Sequence, residues 1–361
     1  MSSGFLALCS NNLPEPSISP INGEQPADYF NTVLYTGNGS SSRSLSGVNF
    51  QPDFVWLKDR NTGYQHSLQD SVRGTGASKK LYSSLSEAEG GANSVYGHIT
   101  SFDSDGFSVA TGTGGAQHVN QNTVTYVAWS WLAGGTAVSN TDGSRTTSVS
   151  ANTKAGFSIG TFTAQSTGTA TYGHGLDSAP EMLIVKRTDG TSDWIVYHKE
   201  IGNAAYIELN QTLQQQAGVN VWNSTDPTSS VFTLGSDWAA GNDFVFYAFH
   251  GVEGYSKFGT YTGAGDGTFV HLGFRPAWLM VKNTNTSSHH WVIYDDTRDT
   301  YNVNDLYVYA NSGNVENDND RVDFVSNGFV GRANNYDIAQ SGVKFIYAAF
   351  ARNPFKYAQA R

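Results

Sequence analysis

Apolar residues in this chain fall into short runs, almost all of them too short for helices. Phe54 to Leu57, Met182 to Val185 and Leu279 to Val281 are continuously apolar, each with a proline close before it and a lysine right after. Runs of that length suit central strands covered on both faces. Trp194-Ile195-Val196-Tyr197-His198 and Trp291-Val292-Ile293-Tyr294-Asp295 place large residues at every second position with little polar relief, which again predicts two covered faces. Strands recur about every 10 to 15 residues between Asp-Gly, Asn-Gly and Gly-Gly turn signals, the rhythm of an antiparallel sandwich. Helix is expected only as short turns at Ser84 to Glu89 and Thr212 to Ala217.

The pattern occurs three times. Tyr35-Thr36-Gly37, then Gln51-Pro52-Asp53-Phe54-Val55-Trp56-Leu57-Lys58, then Tyr126-Val127-Ala128-Trp129-Ser130-Trp131 mark the first copy. Phe162-Thr163-Ala164, Ala179-Pro180 to Lys186 and Phe244 to Phe249 mark the second. Tyr261-Thr262-Gly263, Arg275-Pro276 to Lys282 and Phe345 to Phe350 mark the third. A unit of roughly 100 residues has the size of a domain and exceeds a solenoid repeat. The expected fold is therefore all-β, with three tandem antiparallel β-sandwich modules of concanavalin-A-like or jelly-roll-like kind. Their expected bounds are 28–135, 154–254 and 255–361, with a Gly/Ser/Thr stretch at 136–153 as a linker or exposed hairpin. Residues 1–27 hold four of the nine prolines (Pro14, Pro16, Pro20, Pro26) and read as an extended arm that docks and does not fold alone.

Composition narrows the functions. Thirty-one acidic against 21 basic residues give a net charge of -10, which disfavours nucleic acid and anionic membranes. The single cysteine, Cys9, precludes an intrachain disulfide, so packing alone must hold the fold. No apolar run reaches the roughly 18 residues of a membrane span, and no signal peptide or lipidation site is expected at the N-terminus.

Each motif that suggests chemistry has a plainer reading. Gly156-Phe157-Ser158-Ile159-Gly160 matches a nucleophile elbow but continues as a strand where a helix is required. Asp103-Ser104-Asp105-Gly106 lacks the later ligands of a calcium loop and reads as a turn. His289 and His290 point to opposite faces of a strand, and the other histidines show no zinc spacing, so no metal or cofactor is expected. Asp70 with Arg73 and Asp295 with Arg298 read as structural ion pairs, because the second copy replaces them with His198-Lys199-Glu200-Ile201 and no paired carboxylate recurs. Gly263-Ala264-Gly265-Asp266-Gly267 lacks the helix and lysine of a phosphate loop.

Aromatic residues and amides share the loops. Sugar rings stack on the former and hydrogen-bond to the latter, so a ligand site is expected at Trp222, Asn223, Trp238, Asn242, Asp243 and Tyr336. The first copy has Gly97-His98 and Gly114-Gly115 where the second has its two tryptophans, so the repeated fold does not require those rings.

Tyr35-Thr36-Gly37-Asn38-Gly39, Gln51-Pro52-Asp53-Phe54-Val55-Trp56, Asp70-Ser71-Val72-Arg73-Gly74, Gly173-His174-Gly175-Leu176 and Asn353-Pro354-Phe355-Lys356-Tyr357-Ala358 resemble virion proteins of tailed bacteriophages, particularly phages of marine and freshwater bacteria including cyanobacteria. The resemblance covers residues 28–361. Longer members place a lectin-like sandwich of SPRY type ahead of a stretch similar to Gly4 through Pro16. The resemblance implies a component of the virus particle, and with the residue pattern the expectation is a non-enzymatic structural protein assembled in the host cytoplasm: a fibre or appendage that recognises host-surface polysaccharide. A capsid decoration protein is the alternative, and a polysaccharide-degrading spike ranks third. The proline-rich arm is expected to engage other virion proteins, and self-association is expected, with a trimer favoured.

Overall fold

The computed structural model describes residues 13–91, 94–115, 118–165 and 168–357. The chain is all-β, built from several antiparallel sheets. The first copy forms β1 (Phe30–Thr36), β2 (Arg43–Ser46), β3 (Phe54–Asp59), β4 (Ser67–Asp70), β5 (His98–Asp103), β6 (Gly106–Ala110) and β7 (Thr125–Trp131). The second region forms β8 (Val138–Asn140), β9 (Thr147–Asn152), β10 (Phe157–Thr163), β11 (Ala170–Gly173), β12 (Met182–Arg187), β13 (Ile195–His198), β14 (Ala205–Glu208), β15 (Gln216–Ala217), β16 (Val231–Leu234) and β17 (Asp243–Phe249). The third forms β18 (Ser256–Thr262), β19 (Thr268–His271), β20 (Phe274–Asn283), β21 (Trp291–Asp295), β22 (Asn304–Tyr309), β23 (Asn317–Val325), β24 (Gly328–Gly331) and β25 (Lys344–Pro354).

One strand order recurs at the centre of each copy: β1-β7-β3-β4, β10-β17-β12-β13 and β18-β25-β20-β21. Register sets the central strands of the three copies in correspondence. Phe54 pairs with Trp131 and Asp70, Met182 with Phe249 and His198, and Trp278 with Phe350 and Asp295. Each of these sheets buries both faces, as the apolar runs require. On one face lie smaller strand groups, β2-β6-β5, β11-β16 and β19-β24-β23, each enclosing an apolar cluster of its own copy. Along β7, Tyr126 and Ala128 point into that cluster, while Val127, Trp129 and Trp131 point the other way.

The opposite faces meet one another. A single central core takes Phe54, Trp56, Trp129 and Trp131 from the first copy, Ile184, Trp194 and Tyr247 from the second, and Trp278, Met280 and Phe350 from the third. Six of the chain's eight tryptophans lie in it. Burying one such ring removes roughly 150–250 Å² from water, a gross gain on the order of 4–6 kcal/mol, so packing between the copies is a large part of what holds the fold.

Hydrogen bonds at the rim follow a cyclic rule. His66, Trp194 and Trp291 occupy equivalent positions. The Trp194 indole donates to Tyr82 O at 2.9 Å and that of Trp291 to Glu208 O at 2.9 Å, while His66 Nε2 lies 2.8 Å from Tyr309 O. Thus the second copy reaches the first, the third the second, and the first the third. A second cyclic set runs through the interior: the Tyr247 hydroxyl donates to Asp70 and Trp129 Nε1 to Asp295, while in the third copy Ala348 holds that place and His198 Nε2 lies 3.3 Å from the preceding carbonyl, Tyr347 O. The three copies thus contact one another in cyclic order, as a ring inside one chain.

The stretch at 136–153 takes the second of its two expected forms, a hairpin of β8 and β9, and β9 also pairs along β10, so the hairpin extends the second sheet. The segments Ser84 to Glu89 and Thr212 to Ala217 are not helical. Their backbone groups serve the junctions: Ser192 N donates to Ser86 O, Glu89 N to Thr188 O, His289 N to Thr212 O and Gln215 N to Thr284 O. Residues 13–27 lie on their own chain, with Ile18 fully buried in the central core, Pro16 against Gly254, and Glu15 bonded to Lys356 and Tyr357. Residues 1–12 of the arm lie outside the described residues.

Candidate functional site

The two loop tryptophans of the second copy occupy different environments. Residues 218–224 form a tight turn fixed by Ser224 N donating to Val219 O and Gly235 N donating to Val221 O. This turn drives Trp222 inward, where it is 2% exposed and its Nε1 donates to Ala205 O at 3.1 Å. Trp222 is thus a core residue and has no ring face to offer a ligand. Trp238 lies above it, half-buried, with ring centroids 5.7 Å apart, and its far edge meets Phe244 at 5.3 Å. Trp238 Nε1 donates to Val221 O at 2.7 Å, so the only unsatisfied part of the indole is its apolar face.

That face borders a cleft of about 380 Å³ lined also by Arg187, Ser192, Tyr206, Asp237 and Ala239. Asn242 stands at its edge: its Oδ1 accepts from Arg187 Nη2 at 2.9 Å and its Nδ2 donates to Ala239 O at 3.0 Å. Arg187 is held again by Asp189 at 2.8 Å. Partial burial, followed by the charges of Glu208, Asp193 and Asp237, pushes the Tyr206 hydroxyl upward, so it stays a proton donor at neutral pH. The neighbouring Asp243 is exposed and accepts from Thr163 Oγ1 at 2.6 Å, facing a different cleft, of about 600 Å³, between the first and second copies.

Asn223 and Tyr336 lie elsewhere. Asn223 is exposed, at φ 52°, and accepts from Thr169. Tyr336 belongs to the third copy, 47% exposed, and stacks on His289 with ring centroids 4.8 Å apart and planes 4° from parallel. The structure therefore brings Trp238 and Asn242 together, with Asp243 next in chain, and adds Arg187, Tyr206 and Asp237, which the sequence reading passed over. Tyr206 carried one signal, an aromatic at an outward position of a strand that alternates burial.

The residues with catalytic potential have other occupations. Asp70 Oδ2 accepts from Arg73 at 2.7 Å and Tyr247 at 2.8 Å, and Arg73 continues to Lys79 O and Glu89. Asp295 takes Arg298 Nε at 2.5 Å, Arg298 N at 2.8 Å and Trp129 at 3.0 Å, and Arg298 continues to Glu316. Both pairs are fully buried pieces of the junctions. Ser158 is an interior residue of β10, with strand pairing on both sides. Asp105 accepts from the backbone N of Gly47 and Asn49, as a turn residue does. Among the described residues no three His, Cys, Asp or Glu side chains are placed to hold a metal ion.

Residues 25–354 match the family described as a domain of unknown function, DUF7483. The chain belongs to that family. The matched span starts just before β1 and ends with β25, so the DUF7483 unit takes in the whole ring. No curated protein and no solved structure matches the chain.

Proposed function

We propose that this chain is a non-enzymatic structural protein of a bacteriophage virion, a fibre or appendage that recognises host-surface glycan. In this reading the fold is three β-sandwich modules of concanavalin-A-like or jelly-roll-like kind with an N-terminal arm, and other virion proteins engage the arm. The observation that carries the recognition role is the Trp238 indole. It is braced from beneath by Trp222 and from the side by Phe244, and its N–H is already bonded, so one apolar face remains beside Arg187, Asn242 and Asp237. A rigid ring with polar groups at its rim suits a sugar, and it loses little conformational freedom on binding. The virion setting is supported by the bacteriophage-like segments and by a net charge that repels nucleic acid.

The test is adsorption of purified protein to host cells with and without Trp238→Ala. Binding reduced by about 1–3 kcal/mol at unchanged melting temperature supports the role. Unchanged adsorption would refute it. Counting copies per particle separates an appendage, present in a few dozen copies, from a decoration protein present in hundreds.

A further inference from the structure

The ring creates three equivalent clefts, each between the loop after the fourth central strand of one copy and the first strand of the next. Val72 and Arg73 face Thr161 and Thr163, Lys199 and Glu200 face Phe258 to Tyr261, and Asp296 and Thr297 face Thr32. Since the fold is shared, residues peculiar to one junction are not demanded by the fold. The junction of the second and third copies, a cleft of about 370 Å³, differs at four positions together.

Phe269 is 51% exposed at the place held by Thr171 and Ser44, as register with the Phe329, Phe232 and Phe107 strands fixes. His271, exposed two residues on, stands where the other copies have Gly173 and Ser46. Lys257 replaces Ser158 and Asn31, and Lys199 replaces Ser71 and Asp296. One exposed ring and two ammonium groups thus converge on one cleft of a chain whose net charge is -10. Lys257 Nζ donates to His271 O at 2.9 Å, which leaves two of its protons to offer, and Lys199 pairs with Glu181 at 2.9 Å. Burial lowers the Lys257 pKa first and repulsion by Lys199 second, ahead of the opposing pull of Glu181. An anion between them would relieve that repulsion.

We propose that this cleft binds an acidic saccharide, with the sugar's apolar face on Phe269 and its carboxylate between Lys257 and Lys199. Thr260 and Glu200 on the cleft walls offer partners for its hydroxyls. The proposal rests on the reading of the chain as a glycan binder but uses a different site from Trp238.

A short galacturonic acid oligomer, with its methyl-esterified form as the neutral control, is titrated calorimetrically into the full chain and its variants. The expected result is binding of the acid form that falls roughly tenfold in Phe269→Ala and survives in Phe269→Tyr. Lys257→Gln should erase the preference for the acid over the ester. Phe269 is exposed, so the variants should melt with the parent. Absence of binding, or binding indifferent to Phe269→Ala, overturns the proposal. If that indifferent binding disappears in Trp238→Ala, glycan recognition stands at the second copy and only this cleft is excluded. A Phe269-dependent preference for the ester would overturn the acidic class.

Discussion

Trp129 Nε1 donates to Asp295 Oδ2 at 3.0 Å across 166 residues of chain, and the same carboxylate oxygen holds the fully buried Arg298. This oxygen joins the third copy to the first beside the His66 contact with Tyr309 O and the Arg60–Glu316 pair. Asp295→Asn leaves the Arg298 guanidinium buried with only Glu316 as counter-charge, at a cost of about 3–5 kcal/mol. Trp129→Phe removes only the donor and part of the ring. Denaturant unfolding should rank the aspartate change as clearly the worse, and equal effects would show that ring packing and not charge holds the junction.

A shared core predicts shared unfolding. Calorimetry of the full chain should give one transition whose van't Hoff and calorimetric enthalpies agree. Residues 28–135 expressed alone would expose Phe30, Trp56, Trp129 and Trp131 and should fail to give a cooperative melt. Three separable transitions would contradict the common core.

Removal of residues 1–27 takes Ile18 out of the central core. Ile18→Ala alone should cost about 2–4 kcal/mol, and the truncation should lower the melting temperature further. A truncated chain as stable as the parent would show that the docked arm adds nothing to the core.

The two loop tryptophans should separate cleanly. Trp222→Ala opens a cavity in a buried cluster and should cost about 3–5 kcal/mol of stability. Trp238→Ala removes a half-buried ring and should act mainly on adsorption. Reversed effects would move the recognition site away from the second copy.

Acid should weaken the fold through its buried histidines. Burial, the largest cause in each case, holds His118 at about 3, His174 at about 4 and His198 at about 3, against 6.5 when exposed. The unfolded chain therefore binds more protons below pH 6.5, so the contribution is complete above that value and is lost as pH falls toward 4 and below. Each histidine adds a slope of up to about 1.4 kcal/mol per pH unit. Urea titrations at stepped pH should show this decline, and His198→Gln should flatten it. A stability that holds level from pH 7 to 4 would contradict neutral buried rings.

The apolar runs at Phe54, Met182 and Leu279 were legible as doubly covered strands because hydrophobic periodicity reports how many faces are buried. It does not report what covers them. Trp129 and Tyr126 point to opposite faces of β7, yet nothing in their spacing says that one meets its own copy and the other meets two more. The segments Ser84 to Glu89 and Thr212 to Ala217 hold good helix formers, but their amides find partners across the junctions, and tertiary bonding overrides propensity. Trp222 and Trp238 look alike in sequence, both aromatic among amides. Their difference depends on which carbonyl lies within reach of each indole, Ala205 O for Trp222 and Val221 O for Trp238, and that is decided only when the chain has folded.

In a ring of three identical subunits, a substitution at one junction is written into all three. Here each junction has its own codons: Tyr247 with Asp70, His198 with the Tyr347 carbonyl, and Trp129 with Asp295. A change at one can be selected while the other two keep the ring closed. The chain can therefore vary one face of a threefold object, a freedom that a homotrimer of the same shape lacks.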